Sequence, residues 1–173
     1  MDSNSDVTEN ENEFIALESY AFGLSQKIAE SENMFAQFDL GYSYEMGKGV
    51  EKNLEKAFYW YKVAAERGHD SAQNHLGCLY EGGEGTEKNL EKAFYWYQKA
   101  AKNGYDFAQY NLARLYGKGK GAGKDLKMAF YWCKKAADNG NEFAQNHLGC
   151  LYERGEGTER DLEKALYWFN KAA

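Results

Sequence analysis

The stretch LEKAFYWYQKAA, at residues 90–101, decides the fold of this chain. Near-copies stand at residues 54–65 (LEKAFYWYKVAA), 126–137 (LKMAFYWCKKAA) and 162–173 (LEKALYWFNKAA), each 36 residues from the next. A constant period of this size is typical of repeat proteins, in which one unit buries its apolar face only against its neighbours. The sequence therefore predicts a stack of similar units.

Each unit is predicted to form two helices joined by a glycine-rich turn. In the second unit Ala72, Leu76, Leu79 and Tyr80 recur at helical spacing and form one apolar stripe. A Gly-x-Gly follows, and glycine accepts the left-handed conformation that ends a helix. Asn89 then stands where the second helix needs an N-cap oxygen. The pattern predicts an all-α solenoid of helix–turn–helix repeats.

The units divide the chain into an acidic tail, a half-unit and four repeats. The tail is expected to be disordered because it is polar and acidic, and the half-unit is expected to cap the array. The tryptophan of each second helix is expected to pack against the adjacent repeat: Trp60, Trp96, Trp132 and Trp168. The predicted boundaries are 1–13 for the tail, 14–35 for the half-unit, and 36–71, 72–107, 108–143 and 144–173 for the repeats, the last of which is incomplete.

The repeated pattern A-Q-x-x-L-G-x-x-Y-x-x-G-x-G, followed by N/D-x-x-K-A-x-x-W-Y-x-K-A-A-x-x-G, resembles the Sel-one-like repeat, a relative of the tetratricopeptide repeat. The resemblance covers residues 36–173, and the half-unit extends it to Ala21. It implies a right-handed α-solenoid that serves as an adaptor or scaffold for protein partners, without catalysis. The third repeat departs from the pattern at Ala113, where a helix glycine is expected, and the fourth at Phe169, where a tyrosine is expected.

Charge and composition exclude several classes of function. The net charge is −6, but residues 1–13 contain five acidic and no basic side chains, so the rest of the chain is nearly neutral. Generic nucleic-acid binding therefore has little electrostatic support. We expect no membrane span and no signal peptide, because no long apolar run occurs. Cys78, Cys133 and Cys150 form neither a CxxC pair nor an even set, which favours a reducing, cytoplasmic location.

Catalysis and cofactor binding are not expected. The stretch GKGKGAGK at residues 117–124 lacks the first glycine, the final Ser/Thr and the preceding strand of a phosphate-binding loop. His75 and His147 are equivalent residues two repeats apart and have no converging partners in the pattern, so no metal site is predicted. Cys133 takes the place of Tyr97 and is expected to be a small core residue.

Partner-binding residues are predicted on the side of each first helix that faces away from the apolar stripe. In relatives of this fold the first helices line the concave surface, so the resemblance makes this row a ligand groove. Three of its aromatic residues are expected to be exposed, as is common at contact surfaces. Together with two lysines of repeat three, the predicted set is Phe38, Tyr42, Asn74, Cys78, Glu81, Tyr110, Arg114, Lys118, Lys120, Asn146, Cys150 and Glu153.

Repeat three differs from the others in charge. It has seven basic and three acidic side chains, whereas each other repeat has a net charge of −1. Arg114 lies one turn from Tyr110, and Lys118 and Lys120 follow at the adjoining turn. An aromatic ring beside a guanidinium suits an acidic peptide with an apolar anchor, which could be the chain's own tail. Lysines that serve only solubility are the alternative.

Three functions agree with this sequence. The first is a scaffold that binds a peptide or protein in the groove. The second is a recruitment or regulatory segment of a larger signalling protein such as a kinase, and the third is a secreted effector. Self-association through the uncapped last helix, around Leu166, Trp168 and Phe169, is also expected.

Overall fold

The computed structural model describes the backbone of residues 3–30 and 32–173, and the side chains of residues 16, 17, 19–30 and 32–173. Within these residues the chain forms nine α-helices and no β-strand, which confirms the predicted fold class. Successive helices pack against each other along the whole series. The helices are α1 (Ser3–Glu30), α2 (Met34–Met46), α3 (Leu54–Glu66), α4 (Asp70–Gly82), α5 (Leu90–Lys102), α6 (Asp106–Lys118), α7 (Leu126–Asp138), α8 (Glu142–Arg154) and α9 (Leu162–Ala172).

The helix ends follow from the predicted capping residues. A side-chain oxygen accepts a hydrogen bond of 2.9–3.0 Å from the backbone N–H three residues later at the start of every second helix: Asn53, Asn89, Asp125 and Asp161. Each first helix ends at a glycine in the left-handed conformation: Gly47, Gly83, Gly119 and Gly155. These local signals fix where both helices begin and end.

The second glycine of each turn brings neighbouring repeats together. A Cβ atom at Gly85 would lie 2.1 Å from the backbone oxygen of Leu54, and one at Gly121 would lie 2.3 Å from that of Leu90. Both glycines also have a positive φ, 66° at Gly85 and 74° at Gly121. The turn of one repeat is therefore in direct contact with the start of the second helix of the preceding repeat, at a distance that admits no side chain.

The core repeats the same contacts between adjacent units. A phenylalanine of the second helix packs edge-on against a tyrosine of the next repeat, with ring centroids 5.1–5.2 Å apart, in the pairs Phe58–Tyr80, Phe94–Tyr116 and Phe130–Tyr152. A buried glutamine of the first helix donates a hydrogen bond to the carbonyl of an alanine eight residues earlier, in the pairs Gln73–Ala65, Gln109–Ala101 and Gln145–Ala137. Each repeat thus supplies one wall of its neighbour's core.

The half-unit makes the same contacts as a full second helix. Phe22 of α1 packs edge-on against Tyr44 with a centroid distance of 5.5 Å. Gln37 donates to the carbonyl of Ala29. Glu32 has a positive φ of 70° at the position that corresponds to Gly68. These contacts support the proposal that residues 14–35 cap the array.

The structure departs from the predicted disordered tail. Helix α1 begins at Ser3, so the backbone of residues 3–13 is helical, while Met1 and Asp2 lie outside the described residues. No glycine or proline interrupts the chain before Gly23.

The tryptophans are part of the packed structure, as predicted. Trp96, Trp132 and Trp168 are only 7–9% exposed, and Trp132 lines a cleft with Ala101 of the preceding repeat. Trp168 was expected to belong to a self-association surface. Because its side chain is buried, it contributes little to that surface. Leu166, at 61% exposed, remains available there, and self-association stays a prediction.

Candidate functional site

The twelve predicted partner-binding residues form the surface that we call the first-helix face. It runs along α2, α4, α6 and α8 and includes the turn after α6. Four of its members are exposed: Cys78, Lys118, Asn146 and Glu153. Seven are half-buried: Phe38, Tyr42, Glu81, Tyr110, Arg114, Lys120 and Cys150. The prediction that its aromatic residues are fully exposed is therefore wrong, because Phe38, Tyr42 and Tyr110 pack against the core.

Asn74 is the one member that is buried, at 7% exposed. Its side-chain oxygen accepts a hydrogen bond of 3.0 Å from the amide of Asn111 in the next repeat. Asn74 therefore joins two repeats and is not available to a partner. Asn74 was predicted to bind a partner because it lies opposite the apolar stripe. It is buried because a first helix is covered by neighbouring repeats as well as by its own second helix.

A carboxylate lies at the junction between repeats one and two, which we call the first junction. Glu45 accepts hydrogen bonds from the hydroxyl of Tyr61 and lies 3.1 Å from Nδ1 of His75. Phe38 covers this group, with its ring edge-on to His75 at a centroid distance of 5.6 Å. Burial alone would raise the pKa of Glu45, but the hydrogen bonds from His75 and Tyr61 hold this pKa below its usual value.

At the second junction, between repeats two and three, Glu81 takes the position of Glu45, and its partner is Arg114. Glu81 receives two hydrogen bonds from the guanidinium of Arg114, one of them 2.8 Å long. The hydroxyl of Tyr97 lies 3.1 Å from the same carboxylate. Burial opposes ionisation of Glu81, yet the contacts from Arg114 and Tyr97 lower its pKa.

This ion pair corrects the role predicted for Arg114. Its guanidinium is already paired with Glu81 and is not free to bind an acidic partner. Charge reversal at Arg114 would place two carboxylates together and weaken the fold. The net charge of repeat three is thus partly neutralised across the second junction. Lys118 is exposed and forms no ion pair within the described part of the chain.

The third junction, between repeats three and four, has lost the carboxylate. Gly117 stands where the other two junctions have Glu45 and Glu81, and Cys133 stands where they have a tyrosine. The covering aromatic and the histidine remain, since Tyr110 lies edge-on to His147 with centroids 5.9 Å apart. Nδ1 of His147 is buried and finds no hydrogen-bond partner among the described residues.

Two substitutions in repeat three compensate each other. A Cβ atom at Gly77 would lie 2.7 Å from the ring of Tyr97, so glycine is needed beneath this tyrosine. Repeat three has Ala113 in place of the glycine and Cys133 in place of the tyrosine. Both changes are visible in the sequence. Comparison of Ala113 with Gly77, and of Cys133 with Tyr97, could have revealed that the two changes belong together.

Two clefts that share lining residues lie at the third junction. The outer cleft has a volume of about 560 Å³, and Phe143 and Asn146 of α8 lie on its wall together with Tyr110 of α6. The inner cleft has a volume of about 180 Å³ and is lined by Gly117 and Leu151 among others. Arg114, Lys118 and His147 border both. Four predicted residues meet at the outer cleft: Tyr110, Arg114, Lys118 and Asn146.

The tyrosines of the second helices form another exposed row, Tyr59, Tyr95, Tyr131 and Tyr167, at 46–58% exposed. Each ring packs edge-on against the tryptophan that follows it, with centroids 5.1–5.2 Å apart. Lys99 lies over the ring of Tyr95 at 5.2 Å. This surface offers an aromatic and cationic control for the first-helix face.

Within the described residues no group of three or more His, Cys, Asp or Glu side chains converges on one point. Cys78, Cys133 and Cys150 are free thiols. Burial raises the pKa of the Cys133 thiol to about 12, which makes this thiol unreactive and agrees with its expected place in the core. In the described part of the chain, no helix combines the length and the apolar character that a membrane crossing requires.

Comparison with known proteins agrees with this architecture. The Sel1 repeat model matches four segments, at residues 35–69, 70–105, 106–141 and 143–173, so its boundaries lie within two residues of those predicted. A Sel1 repeat protein from Oxalobacter formigenes is 36% identical, with a TM-score of 0.85 over 89% of this chain and 61% of that one. The protective antigen c5321 of uropathogenic Escherichia coli, which displays an SLR fold, is also 36% identical, with a TM-score of 0.84 over 87% of this chain and 32% of that one.

A shorter similarity involves a yeast protein. Chitin synthase regulator SKT5 of Saccharomyces cerevisiae is 46% identical over 48 residues, which are 28% of this chain and 7% of that protein. The chain therefore spans only a part of the length of each of these three relatives.

Proposed function

Because the chain belongs to the Sel1 repeat family, we propose that it is a non-catalytic scaffold that binds a peptide or protein partner on the first-helix face. The observation that carries this proposal is the outer cleft at the third junction. An aromatic pair, Tyr110 and Phe143, lies there with rings stacked 6.2 Å apart, and Phe143 is 65% exposed. Exposed aromatic side chains beside a cleft are common anchor points for partners.

The partner that fits this cleft is an acidic peptide with an apolar anchor. The stacked rings offer an apolar surface, and Lys118 adds a positive charge at the rim that no described residue neutralises. At the other two junctions the carboxylates of Glu45 and Glu81 already contact His75 and Arg114. Binding at the third junction therefore costs the fold none of its own ion pairs.

The test is a selection of peptides from a random twelve-residue phage library, followed by fluorescence anisotropy on synthetic copies. The cleft variant carries Phe143→Ala and Lys118→Glu, two residues that contribute little to the core. We expect it to weaken binding of the selected peptides by at least about tenfold, which is about 1.4 kcal/mol.

The matched control carries Tyr95→Ala and Lys99→Glu on the second-helix surface, where a lysine also lies beside an exposed aromatic ring. It should change affinity by less than about twofold. A larger loss in the control than in the cleft variant would move the binding site to the second helices. Equal losses would indicate general electrostatics.

A regulatory segment of a larger protein is the second candidate, favoured by the similarity to a chitin synthase regulator. A regulator of this kind would also bind through its repeats, so both candidates use the first-helix face. We place this activity in the cytoplasm, a proposal supported by the three free cysteines. Co-purification of an enzyme whose rate changes on addition of the chain would favour regulation over passive scaffolding.

A further inference from the structure

Two histidines in equivalent positions have different surroundings. His75 and His147 are separated by two repeats, and each lies beneath an aromatic ring of the preceding repeat. Nδ1 of His75 is 3.1 Å from a carboxylate oxygen of Glu45. Nδ1 of His147 is buried and has no hydrogen-bond partner among the described residues. The difference arises because Gly117 occupies the position of Glu45.

Space for the missing carboxylate is present. A Cβ atom on Gly117 would meet only the Cβ atom of Ala129, at 3.7 Å. The inner cleft of about 180 Å³ is lined by Gly117, Leu151 and His147 among others, and it shares His147 with the outer cleft. The third junction therefore keeps an opening where the first junction holds a glutamate and a tyrosine.

The charges around this opening favour an anion. Arg114 is paired with Glu81; Glu156 lines the inner cleft and lies 3.9 Å from Arg154, so each of these pairs has no net charge. Lys118 lies on both clefts without an ion pair in the described part of the chain. Glu142 lines the outer cleft only. Burial lowers the pKa of His147, and an approaching carboxylate would raise it and gain a charged hydrogen bond.

We propose that the cleft at the third junction binds a carboxylate of a partner peptide in the place of the absent glutamate, with His147 as its hydrogen-bond donor and Lys118 as a second cation. This inference rests on the proposed function, because the peptide approaches along the first-helix face. The carboxylate comes from an aspartate or glutamate side chain or from a peptide C-terminus. The partner thus completes the set of contacts that Glu45 completes inside the chain.

The first experiment tests the chemistry of the cleft without any partner. Gly117→Glu supplies a tethered carboxylate at the position of Glu45, and Gly117→Gln supplies a side chain of the same size without charge. The pKa of His147 is measured by NMR titration in both variants. We expect it to rise by about one pH unit in the glutamate variant and not in the glutamine variant. The same pKa in both variants would overturn the inference.

The second experiment uses peptides of defined chemistry. The probes are acetyl-Ala-Phe-Glu-Ala-Ala-amide, its glutamine twin, and acetyl-Ala-Phe-Ala-Ala-Ala with a free C-terminus. Affinities are read from NMR shifts of His147. The natural chain should bind at least one carboxylate peptide about tenfold more tightly than the glutamine twin. In Gly117→Glu this preference should disappear, because the tethered carboxylate fills the cleft.

The outcomes separate this inference from the proposed function. Equal binding of the three peptides to the natural chain would overturn the carboxylate site and leave the scaffold proposal intact. If no library peptide responds to the Phe143 and Lys118 changes, the first-helix face is not the binding surface. The titration of His147 still decides the chemistry of the cleft in that case.

Discussion

The turn between the two helices is nearly identical in all four repeats, whereas the first-helix face differs at every junction. Each turn has a capping glycine and an Asn or Asp cap, and in repeats two to four its second glycine lies against the preceding repeat. The junctions hold a glutamate with a histidine, a glutamate with an arginine, and an open cleft. The comparison indicates that the turns hold the array together, while the first-helix face is where one repeat can differ from another.

The tryptophans belong to the constant part, and their loss should have the largest effect. Trp96→Ala is expected to lower the free energy of unfolding by about 3–5 kcal/mol, because a 9% exposed side chain would leave a cavity between repeats. Urea unfolding followed by circular dichroism measures this. The neighbouring Tyr95→Ala removes a ring that is 49% exposed and should cost less than about 1 kcal/mol. A similar small cost for Trp96 would contradict its structural role.

The second glycine of the turn should come next. Gly121→Ala adds a Cβ atom 2.3 Å from the backbone oxygen of Leu90 at a residue with a positive φ, so the repeats must move apart. We expect a loss of roughly 3 kcal/mol. Gly123→Ala is the control, since a Cβ atom there has no neighbour within 4 Å and its φ is not positive. Equal melting temperatures for the two variants would show that the turn does not bind the preceding repeat.

The turns were easier to predict from the sequence than the contacts of the first-helix face. Caps, turns and apolar stripes depend on residues a few positions apart, so the sequence of one repeat is enough to predict them. The four copies show which residues of the pattern recur. The contacts of the first-helix face depend on residues in different repeats. Arg114 and Glu81 are 33 residues apart, and a helical wheel drawn for α6 alone makes Arg114 look free. Tyr110, Lys118 and Asn146 of the predicted row line one cleft, and their role in binding stays a prediction. Asn74 is buried because its helix is also covered by the next repeat.

The second junction can be tested by acid. The pKa of Glu81 is lowered in the fold by Arg114, so this group stabilises the fold above its unfolded pKa and loses that contribution as the pH falls below 4.5. In Arg114→Met, burial still raises the pKa of Glu81 and only the weaker contributions of Tyr97 and Lys120 lower it, so the loss of stability on acidification through the same range should be smaller. We expect a cost of about 1–3 kcal/mol at pH 7 for Arg114→Met.

The control for this prediction is the exposed pair of Lys134 and Asp138, in which both side chains are 47% exposed. Lys134→Met should change stability by less than about 0.5 kcal/mol. Thermal melts from pH 3 to pH 7 compare the two variants. Parallel curves for the natural chain and Arg114→Met would mean that Glu81 gains nothing from the guanidinium.

A substitution at the third junction should stabilise the fold, and its effect on stability should be the smallest. Gly117 lies in the last turn of α6 and has room for a side chain, with only Ala129 at 3.7 Å. Gly117→Ala is therefore expected to stabilise the fold by about 0.5–1 kcal/mol, because alanine has the higher helix propensity. Gly77→Ala, also within a first helix, should destabilise it, since its Cβ atom would lie 2.7 Å from the ring of Tyr97. Melts of the two variants that shift in the same direction would show that the cleft at the third junction is closed in solution. Opposite shifts would support space for a side chain at Gly117, the position of the missing glutamate.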